Sequence, residues 1–190
     1  AQEEVLTVQE ETVEAVEETV EEEIEESIEE EAQEEVLTVQ EETATEVAKN
    51  GKTRYETLAA AVNDAENGDI ITLLADCSGD GIALWAADAK EITIDLAGFT
   101  YTVSGAAVGS SNTKSQGFHF EKGNTVTIKN GTLTSTSSDV KMLIQNYSNL
   151  TLTDVTVDGS NLNGNRCYVV SNNCGDVVLN GSTSIKAKGG

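Results

Sequence analysis

Ile92-Thr93-Ile94, Val126-Thr127-Ile128, Leu150-Thr151-Leu152 and Val177-Val178-Leu179 are four short apolar triplets whose starts lie 34, 24 and 27 residues apart. A fixed period of this size is the signature of a solenoid, in which each repeat is one coil of a stack. In each triplet the first and third residues point one way and the middle residue the other, the alternation of a half-buried strand. So Ile92/Ile94, Val126/Ile128, Leu150/Leu152 and Val177/Leu179 are predicted to stack inside. Thr93, Thr127, Thr151 and Val178 are predicted to point out.

Corners follow the triplets at Gly98, Asn130-Gly131, Asp154 and Asn180-Gly181, residue types that suit tight bends. Further strand candidates lie at residues 99–103, 118–120, 132–134, 140–144, 155–157, 168–170 and 183–185. Two or three strands per coil of roughly 25 residues predict a parallel β-helix. The chain has no proline, which suits strands that donate hydrogen bonds along the ladder. An antiparallel sandwich is the structural alternative, because short strands with Gly/Asn turns also fit it.

Ahead of the coils, Asn50-Gly51 lies between two short strand candidates and predicts a hairpin. Thr57 is placed to cap a short helix with Leu58, Ala61, Val62 and Ala65 on one face. Asn67-Gly68 is expected to end that helix with a left-handed residue. Ile70, Ile71, Leu73 and Leu74 form the next strand. An amphipathic helix here would cover the open end of the stack, near Ile71 and Leu73.

Residues 1–46 are of another kind. The first 48 residues carry 20 of the 34 acidic side chains, all glutamate, and no Lys or Arg. The remaining chain holds 14 acidic and 11 basic residues, so the net −23 is mostly a property of this segment. Ala1 to Thr12 reads AQEEVLTVQEET, and Ala32 to Thr43 repeats the same letters. Between them Val13, Val16, Val20, Ile24 and Ile28 form a narrow apolar stripe at helical spacing. Glutamates repel at i,i+4. The segment therefore reads as an acidic, partly helical spacer. A coiled-coil seam is the alternative, though the 4-4-4 spacing drifts off a heptad. Nothing matches the Ca²⁺ loop of an EF-hand.

The domain organisation expected is thus a spacer at 1–46 and a β-helix domain at 47–190. Within the domain, the hairpin and capping helix occupy 47–68 and the coils 69–190. Strong negative charge disfavours nucleic acid and anionic membranes as partners. No apolar run approaches the ~18 residues of a transmembrane helix. The chain opens at Ala1, without Met or a signal peptide, and ends at Lys188-Gly189-Gly190 without a capping element. The expectation is a mature or excised piece whose coils continue.

The stretch Val47 to Val62, followed by Asn67-Gly68-Asp69-Ile70-Ile71-Thr72-Leu73-Leu74, resembles a module of secreted proteins of Gram-positive gut bacteria. In that module a Tyr-x-Thr-Leu-x-x-Ala helix and a Gly-Asp-x-Ile-Thr-Leu strand open a right-handed parallel β-helix of the pectate-lyase-like class. Ile92-Thr93-Ile94-Asp95-Leu96-Ala97-Gly98 is similar to that class's Thr-Ile-Asp-Leu-Asn-Gly rung, with Ala97 where Asn is usual. The resemblance spans 47–190. It implies an all-β, right-handed solenoid in a secreted or cell-surface protein, often adhesin-like, with host or cell-wall polysaccharide or glycoprotein as the expected partner.

Enzymes of this class resemble one another in clustering carboxylates, or Asp with Arg or Lys, on an outer sheet face. The outward positions here are Glu91, Thr93 and Asp95; Thr125, Thr127 and Lys129; Asn149, Thr151 and Thr153; Asp176 and Val178. Asp95 and Lys129 fall on neighbouring coils. A glycosidase needs two carboxyls ~5–10 Å apart, and Thr151 and Thr153 occupy the places a second one would need. His119, the one histidine, reads as a surface-facing strand residue; it anchors no zinc site of usual type and no Ser/His/Asp order. Cys77, Cys167 and Cys174 read as buried reduced thiols, with a Cys167–Cys174 bridge as the alternative in an oxidising compartment. The outward threonines make a sparse Thr-x-Thr array. Asp95, Lys129 and Asn149 break the regular face that ice binding needs, and β-propensity explains the rest. Four Asn-x-Ser/Thr patterns, at Asn130, Asn146, Asn149 and Asn180, mostly coincide with turns and need no glycan.

No catalytic, cofactor-binding or metal-ligating residue is therefore assigned, and no cofactor is expected. The reading is a non-enzymatic secreted or surface adhesin or structural fragment in contact with carbohydrate. The alternative is the N-terminal part of a polysaccharide lyase or glycoside hydrolase whose catalytic coils lie beyond Gly190.

Overall fold

The computed structural model describes residues 45–188. The acidic repeat, with its apolar stripe from Val13 to Ile28, lies outside them. Strands β1 (Ala48–Asn50) and β2 (Thr53–Tyr55) and helix α1 (Leu58–Asp64) come first. The first coil follows as β3 (Ile70–Leu73), β4 (Cys77–Gly79) and β5 (Ile82–Leu84), and the second as β6 (Glu91–Asp95), β7 (Thr100–Val103) and β8 (Gln116–Phe120). The third coil is β9 (Thr125–Ser135) and β10 (Met142–Asn146), the fourth β11 (Asn149–Gly159) and β12 (Tyr168–Asn172). Strands β13 (Asp176–Asn180) and β14 (Ser184–Ala187) begin a fifth. The solenoid makes about five turns.

Corresponding strands pair in parallel from coil to coil. The first sheet stacks β3, β6, the start of β9, the start of β11 and β13. The second stacks β4, β7, the ends of β9 and β11, and β14. The third stacks β5, β8, β10 and β12. Among the described residues, antiparallel pairing is confined to β1 with β2 and β3 and to one isolated bridge between Val108 and Gln116. That excludes the sandwich alternative. First-coil strands β4 and β5 were not among the strand candidates.

The interior is a set of columns. Ile71, Ile94, Ile128, Leu152 and Leu179 are in register down the first sheet. The first four are buried; Leu179, on the last coil, is half-exposed. Cys77, Tyr101, Leu133, Val157 and Ile185 form the column of the second sheet. Burying one such aliphatic side chain is worth ~1.5–3 kcal/mol, so the columns are the main source of stability. Tyr101 keeps its ring inside because its hydroxyl donates to Asp80 O at 2.6 Å; burial pushes its pKa up.

Sheets one and two are continuous through β9 and β11, which bend at Asn130 (φ 58°) and Asp154 (φ 55°), with Gly181 (φ 60°) at the matching place in the fifth coil. In the third, fourth and fifth coils one left-handed residue turns the chain at this corner, and Asn, Asp and Gly tolerate that conformation best. The second coil turns more widely, with Ala97 and Gly98 both left-handed.

The cap is as the helical spacing predicts: Leu58, Ala61, Val62 and Ala65 are buried in the same core as Ile71 and Leu73. Thr57 Oγ1 accepts from Ala60 N at 3.1 Å. Two local details differ. The hairpin loop is Gly51-Lys52, since Asn50 pairs with Thr53; Gly51 takes φ 58°, as the first position of a type II′ turn requires. The helix stops at Asp64, with Ala65 extended at φ −64° and ψ 138°. Gly68 is left-handed, but in the turn before β3. The extended Ala65 places its methyl in the core.

All three cysteines are free. Contrary to expectation they are not buried: Cys77 and Cys167 are half-buried and Cys174 is exposed. The Cys77 thiol is pushed up by burial, with the Asp76 charge adding to it.

Candidate functional site

On the outer face of the first sheet the register aligns Thr72, Asp95, Lys129, Thr153 and Asn180. Asp95 and Lys129 do meet across neighbouring coils, at 3.2 Å. The other Asp95 oxygen accepts from Ala97 N at 2.9 Å and Asn130 Nδ2 at 3.0 Å. Burial pushes this carboxyl up, but the Ala97 N–H, the Asn130 amide and Lys129 together hold it below the ordinary range. Its coil neighbours in the column are Thr72 and Lys129. Asp95 is thus a corner brace, fully engaged, with no second carboxylate stacked on it. Thr93, Thr127 and Thr151 form the adjacent outward column.

The third sheet differs. Its inward positions are Ile82, Phe118, Ile144 and Val170 in one column and Leu84, Phe120, Asn146 and Asn172 in the next. The apolar column thus turns into an asparagine ladder. Asn146 is fully buried. Its Nδ2 donates to Asn172 Oδ1 at 2.8 Å and to Ser148 O at 3.0 Å. Its Oδ1 accepts from Ser148 N and Oγ at 3.1 and 2.8 Å. Buried amides are tolerated only when satisfied in this way. Of the four Asn-x-Ser/Thr patterns, Asn146 is therefore an interior residue rather than a turn.

Outward positions on the same sheet are Ala83, His119, Gln145 and Ser171. One residue further along, Glu121 N donates to Leu84 O and Tyr147 N to Phe120 O, each at 2.8 Å. This aligns Trp85, Glu121 and Tyr147 on three successive coils, ~4.8 Å apart. The small side chain of Ala83 leaves space over which Trp85 reaches His119, with ring centroids 5.1 Å apart. Tyr147 approaches from the other side at 5.7 Å. His119 Nε2 lies 3.3 Å from Glu121 Oε1. The second Glu121 oxygen accepts from Ala86 N at 3.0 Å.

His119 therefore points outward yet is only 4% exposed. It corrects the reading of a surface-facing residue: two rings cover it. Its Nδ1 is buried without a hydrogen-bond partner. Trp85, by contrast, is 40% exposed. The result is a strip of aromatic faces running along the solenoid axis, with one fixed carboxylate between them. Sequence reasoning missed Trp85, Glu121 and Tyr147. The available signal was Ile82-Ala83-Leu84, an alternating triplet that leads straight into the one tryptophan of the chain.

Among the described residues, no three His, Cys, Asp or Glu side chains gather where they would hold a metal ion, and no helix is long and apolar enough to cross a membrane. No protein-family profile matches the chain, and no curated protein or solved structure matches it.

Proposed function

We propose that this chain is a non-catalytic display or adhesion module, secreted or held at a cell surface, whose solenoid side contacts carbohydrate. The observation that supports it is the exposed Trp85 face on the third sheet, flanked along the axis by Glu121 and Tyr147. A pyranose ring presents an apolar face that stacks on an aromatic ring, and its hydroxyls donate to a fixed carboxylate. A strip with one such position per coil suits an extended saccharide lying along the stack. The pectate-lyase-like resemblance of residues 47–190 fits the same role. Asp95, the carboxylate most suggestive of catalysis, is spent on the Lys129 and Asn130 brace.

The test is retention of the full chain on a panel of immobilised neutral and amino-sugar polysaccharides, with reducing ends assayed in the same tubes. Retention that falls at least tenfold in Trp85→Ala, with a cooperative unfolding transition retained, is the expected result. Equal retention by Trp85→Ala would sink the assignment of the surface. Release of new reducing or unsaturated ends by the purified chain would overturn the non-catalytic reading in favour of a lyase or hydrolase.

A further inference from the structure

A second concavity lies at the corner between the second and third sheets. It has a volume of about 390 Å³ and is walled by Gly159, Leu162, residues 164–169, Ala187 and Lys188. It shares no residue with the Trp85 strip. Arg166 and Lys188 line it, and neither Asp nor Glu does. Lys141 stands at its rim, its Nζ 3.3 Å from where a Cβ on Gly164 would sit.

The ammonium groups are drawn together by one residue. Lys141 Nζ donates to Asn163 O at 2.8 Å, and also to Ser138 O at 2.8 Å. Lys188 Nζ donates to Asn163 Oδ1 at 2.9 Å. Among the described residues, Lys and Arg pair with carboxylates at Arg54–Glu46 and Lys129–Asp95, and at neither of these are Lys141, Arg166 or Lys188 engaged. Three of the chain's 11 basic residues thus converge around one cavity, in a chain of net charge −23. Convergent like charges with no carboxylate paired to them among the described residues repel one another, and an anion placed among them relieves that repulsion.

We propose that this cavity binds a tetrahedral oxyanion: the sulfate or phosphate ester of a sugar, or free inorganic phosphate. Arg166 supplies a planar fork that grips two oxygens, and the two lysines act as point charges. Three donor groups on separate residues match the three terminal oxygens of such an ester, where a carboxylate offers only two. Tyr168, 51% exposed and part of the same wall, offers a ring face to the sugar that carries the ester.

Thermal unfolding of the full chain, titrated with sodium phosphate, sodium sulfate, N-acetylglucosamine 6-sulfate or N-acetylglucosamine at ionic strength matched with NaCl, tests this. Ligand that binds only the folded state raises Tm along a saturable curve, whereas the general stabilisation by sulfate and phosphate rises without saturation. The expected result is a saturable rise with the oxyanions that is lost in Arg166→Gln and reduced in Lys188→Met. Both side chains are exposed, so the folded state is expected to survive either change. Isothermal titration of both variants gives a readout that does not depend on their own Tm. Tighter binding of the sugar sulfate than of inorganic sulfate by tenfold or more identifies a glycan ester; equal or weaker binding identifies free oxyanion. A rise that NaCl reproduces, or one that both variants retain, overturns the proposal. Retention on neutral polysaccharide is read separately through Trp85, so failure here leaves that measurement intact.

Discussion

The first and third sheets are made by the same coils, yet their outer faces have diverged. On the first sheet the outward columns are threonine and a brace of Asp95, Lys129 and Asn130, half-solvated as an alternating strand should be. On the third, strand β8 is buried at all five positions. Its outward His119 lies under Trp85 and Tyr147. Inside, the first sheet stacks aliphatic residues throughout, while the third changes from Leu84 and Phe120 to Asn146 and Asn172. A regular face spends its side chains on strand propensity. An irregular face concentrates rings, an imidazole and amides, the groups that can recognise something. Recognition is to be sought where the alternation breaks.

The largest expected effect lies in the first sheet's interior. Ile128→Asp places a charge at a fully buried position with no compensating partner, and the cooperative unfolding transition should disappear. Ile128→Ala should cost about 2–5 kcal/mol. A denaturant midpoint unchanged by the aspartate would mean that the columns do not hold the fold.

Next comes the third sheet's ladder. Asn146→Ala removes an amide that satisfies Ser148 and Asn172, and each buried group left unpaired costs about 1–3 kcal/mol. Hydrogen exchange should quicken at the corners that Asn146 joins, around Ser148 and from Asn172 to Asp176, while β6 and the start of β9 stay protected. Uniform loosening of both sheets would show that they unfold as one unit with no local distinction.

The outer faces should respond less, and unequally. Trp85→Ala forfeits its ring contact with His119, about 1 kcal/mol, and uncovers the imidazole. Thr127→Ala, in the middle of the regular threonine column, should change stability by no more than about 0.5 kcal/mol. Equal losses at the two sites would erase the contrast between the faces.

The smallest effect is electrostatic. Asp95 is held below the ordinary carboxylate range, as is Asp69, chiefly by the Asn50 amide. A carboxyl depressed in the folded state contributes stability above its unfolded pKa of about 4. That contribution is lost as pH falls through the folded value. Lys129→Met should bring Asp95 back toward the ordinary range and so shrink the acid loss, by about 1 kcal/mol or less for a partly solvated pair. Urea unfolding between pH 2 and 7 reads it. A steeper acid loss in Lys129→Met would reverse the assigned role of the brace.

Much of the fold was legible in the sequence because it depends on local rules. Period-two alternation with β-branched residues identifies the inward columns from Ile94 to Leu179. Asn, Asp and Gly recur where one left-handed residue turns the third, fourth and fifth coils, and Thr57 with four apolar positions marks the cap. The pairing of Asp95 with Lys129 was legible too, since a parallel register carries equal offsets from one triplet to the next. What only the tertiary structure decided lies where residues distant in sequence share a surface. Trp85, His119 and Tyr147 are each unremarkable strand-end or strand residues; they become one strip only when three coils stack, because register, not sequence neighbourhood, sets which rings touch. Asn146 reads as a turn residue until the coil above it supplies Asn172. Lys141, Arg166 and Lys188 are scattered charges until Asn163 gathers two of them at the wall that holds the third. Burial and hydrogen bonding are properties of what stacks above and below, and a single coil's sequence carries no record of its neighbours.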